Sequence, residues 1–229
     1  MMERMLKAGV LGVAGIVAIG LAAPAAAQRG DCRRETLQDI ADRYVKAQHD
    51  GMIFALPVGE WVDYRENNEL VSVNSGVIGQ AADFAWHVGL VDSTACRVFV
   101  QGVILQPKPY VVGTALAWSF NGLGQINSVV TQPGDPQFDA AAASATAAKE
   151  DWGEIPAAKR DTRAALMAAA NAYLTGANAV VGPEFTVDET KGAVAVRGHV
   201  GGPDGPAVGH VLRIEGGKVR YAHTLAPKG

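Results

Sequence analysis

The chain has 229 residues, 48% of them apolar, 19% charged and 7% aromatic, with 27 glycines, 11 prolines and two cysteines. That is ample material for a core in one or two globular domains. A formal net charge of −3, with lysines and arginines scattered along the chain, leaves no basic footprint and excludes nucleic acid as a first partner.

The first element is an address. Arg4 and Lys7 precede an uncharged run over residues 8–27, and Ala25-Ala26-Ala27-Gln28 puts small residues where signal peptidase reads them. This pattern predicts a secretory signal peptide (residues 1–27), cleaved after Ala27, and a mature chain in the periplasm or outside the cell without stable membrane insertion. An uncleaved anchor is the alternative, since the run is long enough to span a bilayer. In an oxidising compartment the intrachain option for the cysteines is Cys32–Cys96, with two free thiols as the alternative. Closing that loop is worth about 4 kcal/mol in loop-closure entropy.

Leu37, Ile40, Ala41, Tyr44 and Val45 fall at helical spacing and predict an amphipathic helix over 36–48. Strands are expected at 61–64, 82–91, 97–105, 110–120 and 125–131, separated by Asp92-Ser93-Thr94, Gln106-Pro107-Lys108-Pro109 and Asn121-Gly122-Leu123-Gly124. A connector over 132–160 follows, its alanine-rich part 139–149 reading as an exposed helix or a loose linker. Then the order repeats: a helix at 162–174, capped by Asp161 or Thr162 and ended by Gly176, and strands at 193–200, 207–215 and 218–225. The expected fold class is α+β, a curved antiparallel sheet wrapped around helices, in two related modules (28–131 and a shortened 161–229).

The helix Leu-x-x-Ile-Ala-x-x-Tyr, the segment Val62-Asp63-Tyr64-Arg65-Glu66-Asn67 and hairpins closing on Asn-Gly-x-Gly-x-Ile resemble the nuclear transport factor 2-like superfamily. This is the cone fold of ketosteroid isomerase, scytalone dehydratase and the SnoaL-like cyclases. The resemblance is best over 36–131 and weak over 162–225. It implies a deep apolar pocket between helix and sheet with a few polar groups at its floor, and a homodimer or, with two modules in one chain, modules packed on each other. Fold alone carries no activity over, and the acid pair of the isomerases has no clear place here.

With Leu90 set opposite Arg97 and Leu105 opposite Tyr110, the period of two splits the strands into faces. One carries Phe84, Trp86, Val88, Phe99, Gln101, Tyr110 and Thr114; the other carries His87, Val98, Val100 and Val111 with Gly89, Gly102 and Gly113. Glycines on a concave face mean close helix packing or a cavity. His87 beside them is a candidate acid or base, with a core histidine as the competing reading. Tyr44 is a candidate oxyanion donor and Asp63 a candidate partner; Trp61, Tyr64, Arg65, Trp86 and Lys108 are candidate substrate contacts. His210 and His223, set opposite or diagonal by the Gly216-Gly217 turn, are candidate substrate contacts, a second proton-transfer site or two metal ligands, although a third ligand such as His199 has the wrong parity without a bulge; a half-exposed sheet edge is the simple alternative.

No phosphate-binding glycine pattern and no Gly-x-Ser-x-Gly elbow occurs. The functional expectation is an exported, cofactor-independent enzyme for a hydrophobic or aromatic small molecule, a lyase (dehydratase or formaldehyde-lyase type) before an isomerase. The alternative is a non-catalytic periplasmic ligand-binding or assembly module.

Overall fold

A computed structural model describes residues 31–136 and 138–228. The expected signal peptide and its cleavage point lie outside the described residues. Among the described residues no helix is long and apolar enough to cross a membrane.

The first helix, α1, runs Arg34–Asp50 and ends at Gly51, whose positive φ of 64° closes it. Its stripe Leu37, Ile40, Ala41 and Tyr44 is buried, as the spacing predicts. Strands β1 (Val58–Glu66), β2 (Glu69–Leu70), β3 (Phe84–Asp92), β4 (Arg97–Ile104), β5 (Tyr110–Ser119) and β6 (Gly122–Thr131) make a six-stranded sheet in the order β2-β1-β6-β5-β4-β3. β1 is parallel to β6 and the other pairings are antiparallel. The connector contains the short helix α2 (Ala140–Ala147), capped by the Asp139 carboxylate on the Ala142 N–H. Helix α3 (Arg163–Tyr173) follows, with Thr162 as its N-cap, and it ends before Gly176. A second, antiparallel sheet has the order β10-β9-β8-β7, from β7 (Val181–Asp188), β8 (Ala193–His199), β9 (Ala207–Glu215) and β10 (Lys218–Leu225). Strand β7 is not among the expected strands; it contains Gly182 and Pro183, which an edge strand tolerates.

Two registers decide which side chains meet. Asp92, not Leu90, stands opposite Arg97, a shift of two that keeps the faces of β3 and β4 as expected. Ile104, not Leu105, stands opposite Tyr110, because Leu105 joins the turn; this shift of one inverts the faces of β5. Tyr110, Val112, Thr114 and Leu116 therefore share a face with His87, Val98 and Val100, while Val111, Gly113 and Ala115 join Trp86, Val88, Phe99 and Gln101. A bulge between Phe84 and Trp86 also turns Phe84 to the α1 side.

The expected space over the glycines is mostly filled. A methyl group on Gly89 would lie 3.2 Å from Ala41 of α1, and one on Gly102 would lie 2.2 Å from the Phe84 ring. Gly113, on the other face, leaves room for Phe99. Close packing is what Gly102 and Gly113 provide, while Gly89 both meets Ala41 and borders a smaller cavity at the sheet edge.

The sheets pack face to face within the one chain. Val88, Leu90 and Phe99 meet Ala193, Ala195 and Val211, and Val103, Val111 and Val129 meet Ala207 and Leu225. Helix α1 covers the outer face of the six-stranded sheet and α3 that of the four-stranded sheet, through Leu166 and Ala170 on Val194, Leu212 and Ile214.

The two halves correspond at a constant interval. Val-Asp-Ser-Thr-Ala-Cys-Arg-Val-Phe-Val at 91–100 matches Val-Asp-Glu-Thr-Lys-Gly-Ala-Val-Ala-Val at 187–196. Cys96 and Gly192 both close the turn with positive φ, 55° and 57°. Trp118 N–H donates to Cys96 O as Ile214 N–H donates to Gly192 O. The matching aspartates, both fully buried, brace the halves crosswise. Asp92 accepts Val187 N–H at 2.8 Å and both guanidinium nitrogens of Arg163, the first residue of α3, at 2.8 Å. Asp188 accepts Val91 N–H at 3.1 Å and Arg34, the first residue of α1, at 2.8 Å. Each carboxylate also caps its own turn through two backbone N–H groups. Cys32 and Cys96 form the expected disulfide, tying the residues before α1 to the turn that Asp92 caps.

Candidate functional site between the sheets

The last hairpin sets the site. Glu215 stands opposite Lys218 and Ile214 opposite Val219, but the register shifts before Tyr221, which faces Arg213. This bulge at Arg220 reverses the parity of the rest of β10. Tyr221, His223 and Leu225 consequently point toward the six-stranded sheet with Val211, whereas His210 points to the α3 side. The expected His210–His223 pair is thus split between opposite faces, which removes it as a metal pair. Among the described residues no group of three or more His, Cys, Asp or Glu side chains could hold a metal ion.

His223 meets two partners that the sequence reading assigned no role. Its Nδ1 lies 3.0 Å from Gln101 Oε1 on β4, and its Nε2 lies 2.7 Å from Glu150 Oε2, just after α2. Trp152 Nε1–H donates to the same carboxylate oxygen at 2.9 Å. The indoles of Trp86 and Trp152 pack on the imidazole at centroid distances of 5.5 and 5.2 Å. The His223 and Glu150 side chains are only 15% and 11% exposed. As oriented, the ring lies between two acceptors, an arrangement that the doubly protonated imidazolium satisfies; with the Gln101 amide rotated, its NH₂ would donate to a neutral ring. The same three side chains therefore accommodate both protonation states of His223.

Beside the ring is a cavity of about 300 Å³. Trp86, Val103, Val111, Phe138 and Ala143 supply apolar wall, with α2 along one side. His223, Gln101, Asp139, Thr131 and Thr146 supply the polar groups. This is the composition of a small-molecule site, mostly apolar with a few polar groups that fix orientation.

The corresponding positions across the sheet-to-sheet interface are different. Arg197 stands where Gln101 does in the other half and Asn127 where His223 does. Arg197 pairs with Glu184 at 3.0 Å and donates to Asn68 Oδ1 at 3.3 Å, and the space left beside Asn127 and Glu184 is about 10 Å³. Of two related positions, one is closed by ion pairs and one is open.

The other expected site residues lie elsewhere. His87 is on the α1 side at the edge of the sheet, against the Phe84 ring, and burial lowers its proton affinity. Tyr44 is fully buried in the core, bonded to Thr114 Oγ1 at 2.7 Å, which in turn meets Ser128 Oγ at 2.8 Å. Burial pushes its phenol well above the ordinary tyrosine range. It lies on the opposite face of the sheet from the His223 cavity, so it is no oxyanion donor there. Tyr64 is also buried and donates to Glu66 Oε1. Asp63 and Arg65 form a half-exposed ion pair on β1. Lys108 is exposed in the turn before β5, and Trp61 is 85% exposed where the β1–β6 register breaks. His87, Tyr44 and Asp63 make no common site. Of the expected contacts, Trp86 and His223 are brought together.

With this geometry in place, the comparisons with known proteins add one match. Residues 176–226 match the family model described as a domain of unknown function (DUF8021). The matched stretch contains all four strands of the second sheet, and with them His210 and His223. No curated protein and no solved structure matches the chain.

Proposed function

We propose that the protein binds a small hydrophobic or aromatic molecule in the cavity between the sheets and that His223, held by Glu150, moves a proton on it. The observation that carries this reading is a carboxylate–imidazole pair, 2.7 Å apart, whose ring lines an apolar cavity and faces two indoles. Glu150 fixes the orientation of the ring through Nε2. Nδ1 is the working nitrogen: a bound hydroxyl or carbonyl group that displaces the Gln101 amide takes its place. A positioned acid–base group contributes on the order of 10²–10⁴ in rate. In a lyase or dehydratase reaction one such imidazole takes a proton from carbon and returns one to the leaving oxygen, beside an apolar body; in an isomerisation it returns the proton to a second carbon.

Supporting the wider frame, each half presents a helix on a mainly antiparallel sheet, the arrangement from which a nuclear transport factor 2-like cone is built. We extend the reading to two such modules in one chain, the second shortened, with no counterpart to β1 and β2 among the described residues. The Cys32–Cys96 disulfide fits folding in an oxidising compartment, and supports export.

A second reading, binding without turnover, is favoured by one fact: both nitrogens of His223 already have partners. The test is a thermal-shift screen against aromatic and terpenoid compounds, with mass spectrometry of every stabilising compound after incubation. A compound that is both bound and chemically changed supports catalysis. Stabilisation without change supports a binding protein, and no stabilisation across a broad panel overturns both.

A further inference from the structure

A second cavity, of about 190 Å³, lies at the free edge of β3, against α1. Gln38 and Asp42 of α1, His87 and Gly89 of β3, and Lys191 from the turn after β7 surround it, with Trp152 as a wall. Lys191 is half-buried, and its Nζ donates to the carbonyl oxygen of Gly89 at 2.7 Å. That bond holds the nitrogen in place and engages only one of its hydrogens. Burial lowers the proton affinity of the amine; Asp188 and Glu154 oppose this, while Arg34 and Arg213 add to it. Both ring nitrogens of His87 lack a hydrogen-bond partner among the described residues, and both Asp42 and Lys191 act on its charge. Asp42 is held by the Gln38 amide at 3.0 Å.

A fixed, partly desolvated amine in a cavity, beside an imidazole free to carry a proton, is the equipment of a carbonyl trap. We propose that Lys191 forms an imine with a small aldehyde or ketone lodged in this cavity, and that His87 carries the protons. The lone pair of the neutral amine attacks the carbonyl carbon as the C=O π bond breaks onto oxygen. His87 takes a proton from nitrogen and passes one to that oxygen, giving a carbinolamine. His87 then takes up a proton from solvent and delivers it to the carbinolamine oxygen as the nitrogen lone pair expels it, so that the C–O bond breaks and water leaves. The product is an iminium whose single N–H donates to Gly89 O as the amine did. No oxidant or reductant takes part, and the step is independent of the role given to His223.

The test is reductive trapping on the intact, disulfide-bonded protein. Benzaldehyde and cyanoborohydride are added near neutral pH, and the modified positions are found by peptide mass mapping over time. The six other lysines described, Lys46, Lys108, Lys149, Lys159, Lys218 and Lys228, are exposed and serve as internal references. Lys191 is expected to be modified about tenfold faster than any of them, as activation by desolvation requires. Modification that follows exposure, with Lys191 slower than the surface lysines, overturns the proposal without any variant. His87→Gln is expected to slow trapping at Lys191 and leave the reference lysines unchanged; an unchanged rate at Lys191 removes His87 from the step.

Discussion

Replacing Arg163 by Met should destabilise the protein by about 3 kcal/mol, the lower end of what removing one partner of a buried ion pair costs. Asp92 is fully buried and has five hydrogen bonds: two from Arg163 and three from backbone N–H groups. The variant keeps the three and removes the positive charge that faces the carboxylate. The lower end applies because the Arg163 side chain is itself 31% exposed, so part of its loss is made good by water. An exposed pair on α1, Arg43 with Asp39, is the internal control, and its removal should cost about 0.5 kcal/mol or less. In urea, with an m-value of about 2–3 kcal/mol/M for a chain of this size, Arg163→Met should lower the midpoint by roughly 1 M without changing the slope. Tryptophan fluorescence reports the transition. Arg34→Met should behave alike through Asp188, since the two braces are reciprocal. A midpoint for Arg163→Met within error of the Arg43→Ala control would refute the idea that these aspartates hold the halves together.

Other outcomes follow from burial and covalent constraint. Burial drives the pKa of His210 down from 6.5 to about 4, so the unfolded chain binds the extra proton first. The stabilisation from its neutral ring is complete above pH 6.5 and is lost as the pH falls toward 4, by about 3 kcal/mol at most. Denaturation curves between those pH values should therefore flatten in His210→Gln relative to wild type. Reducing the Cys32–Cys96 disulfide, which spans 64 residues of sequence, should cost about 4 kcal/mol, seen as a lower thermal midpoint. A midpoint that does not move would mean the reduced chain retains the same constraint. Gly102→Ala places a methyl group 2.2 Å from the Phe84 ring and should cost about 1–3 kcal/mol, whereas a neutral result would mean that this ring moves freely.

Much of the fold was legible because its signals are local. The stripe on α1, the turns around 92–96 and 216–217 and the Thr162 cap all rest on residues near one another in sequence. What was not legible rests on single-residue decisions with distant consequences. Leu105 entering the turn before β5 exchanged the two faces of that strand. Arg220 bulging out of β10 took His223 away from His210 and set it against β4. Glu150 lies in a connector whose alanines suggest only helix or linker, and its partner His223 is 73 residues further on. No spacing links the two; the nearby signal was Trp152, an aromatic residue in a connector, which a solvent-exposed linker has no need of. The glycines around His87 do not point to one use: Gly102 accommodates Phe84, while Gly89 meets Ala41 and borders the edge cavity.

The most direct measurement on the His223–Glu150 pair is turnover of a compound that the screen shows to be both bound and converted, followed by mass spectrometry in the wild type and in His223→Gln. The variant's thermal midpoint and its affinity for the compound are determined in parallel. If His223 moves the proton, the variant folds, binds and loses on the order of 10²–10⁴ in rate. A folded variant that binds the compound and converts it at the wild-type rate would contradict the proposed role.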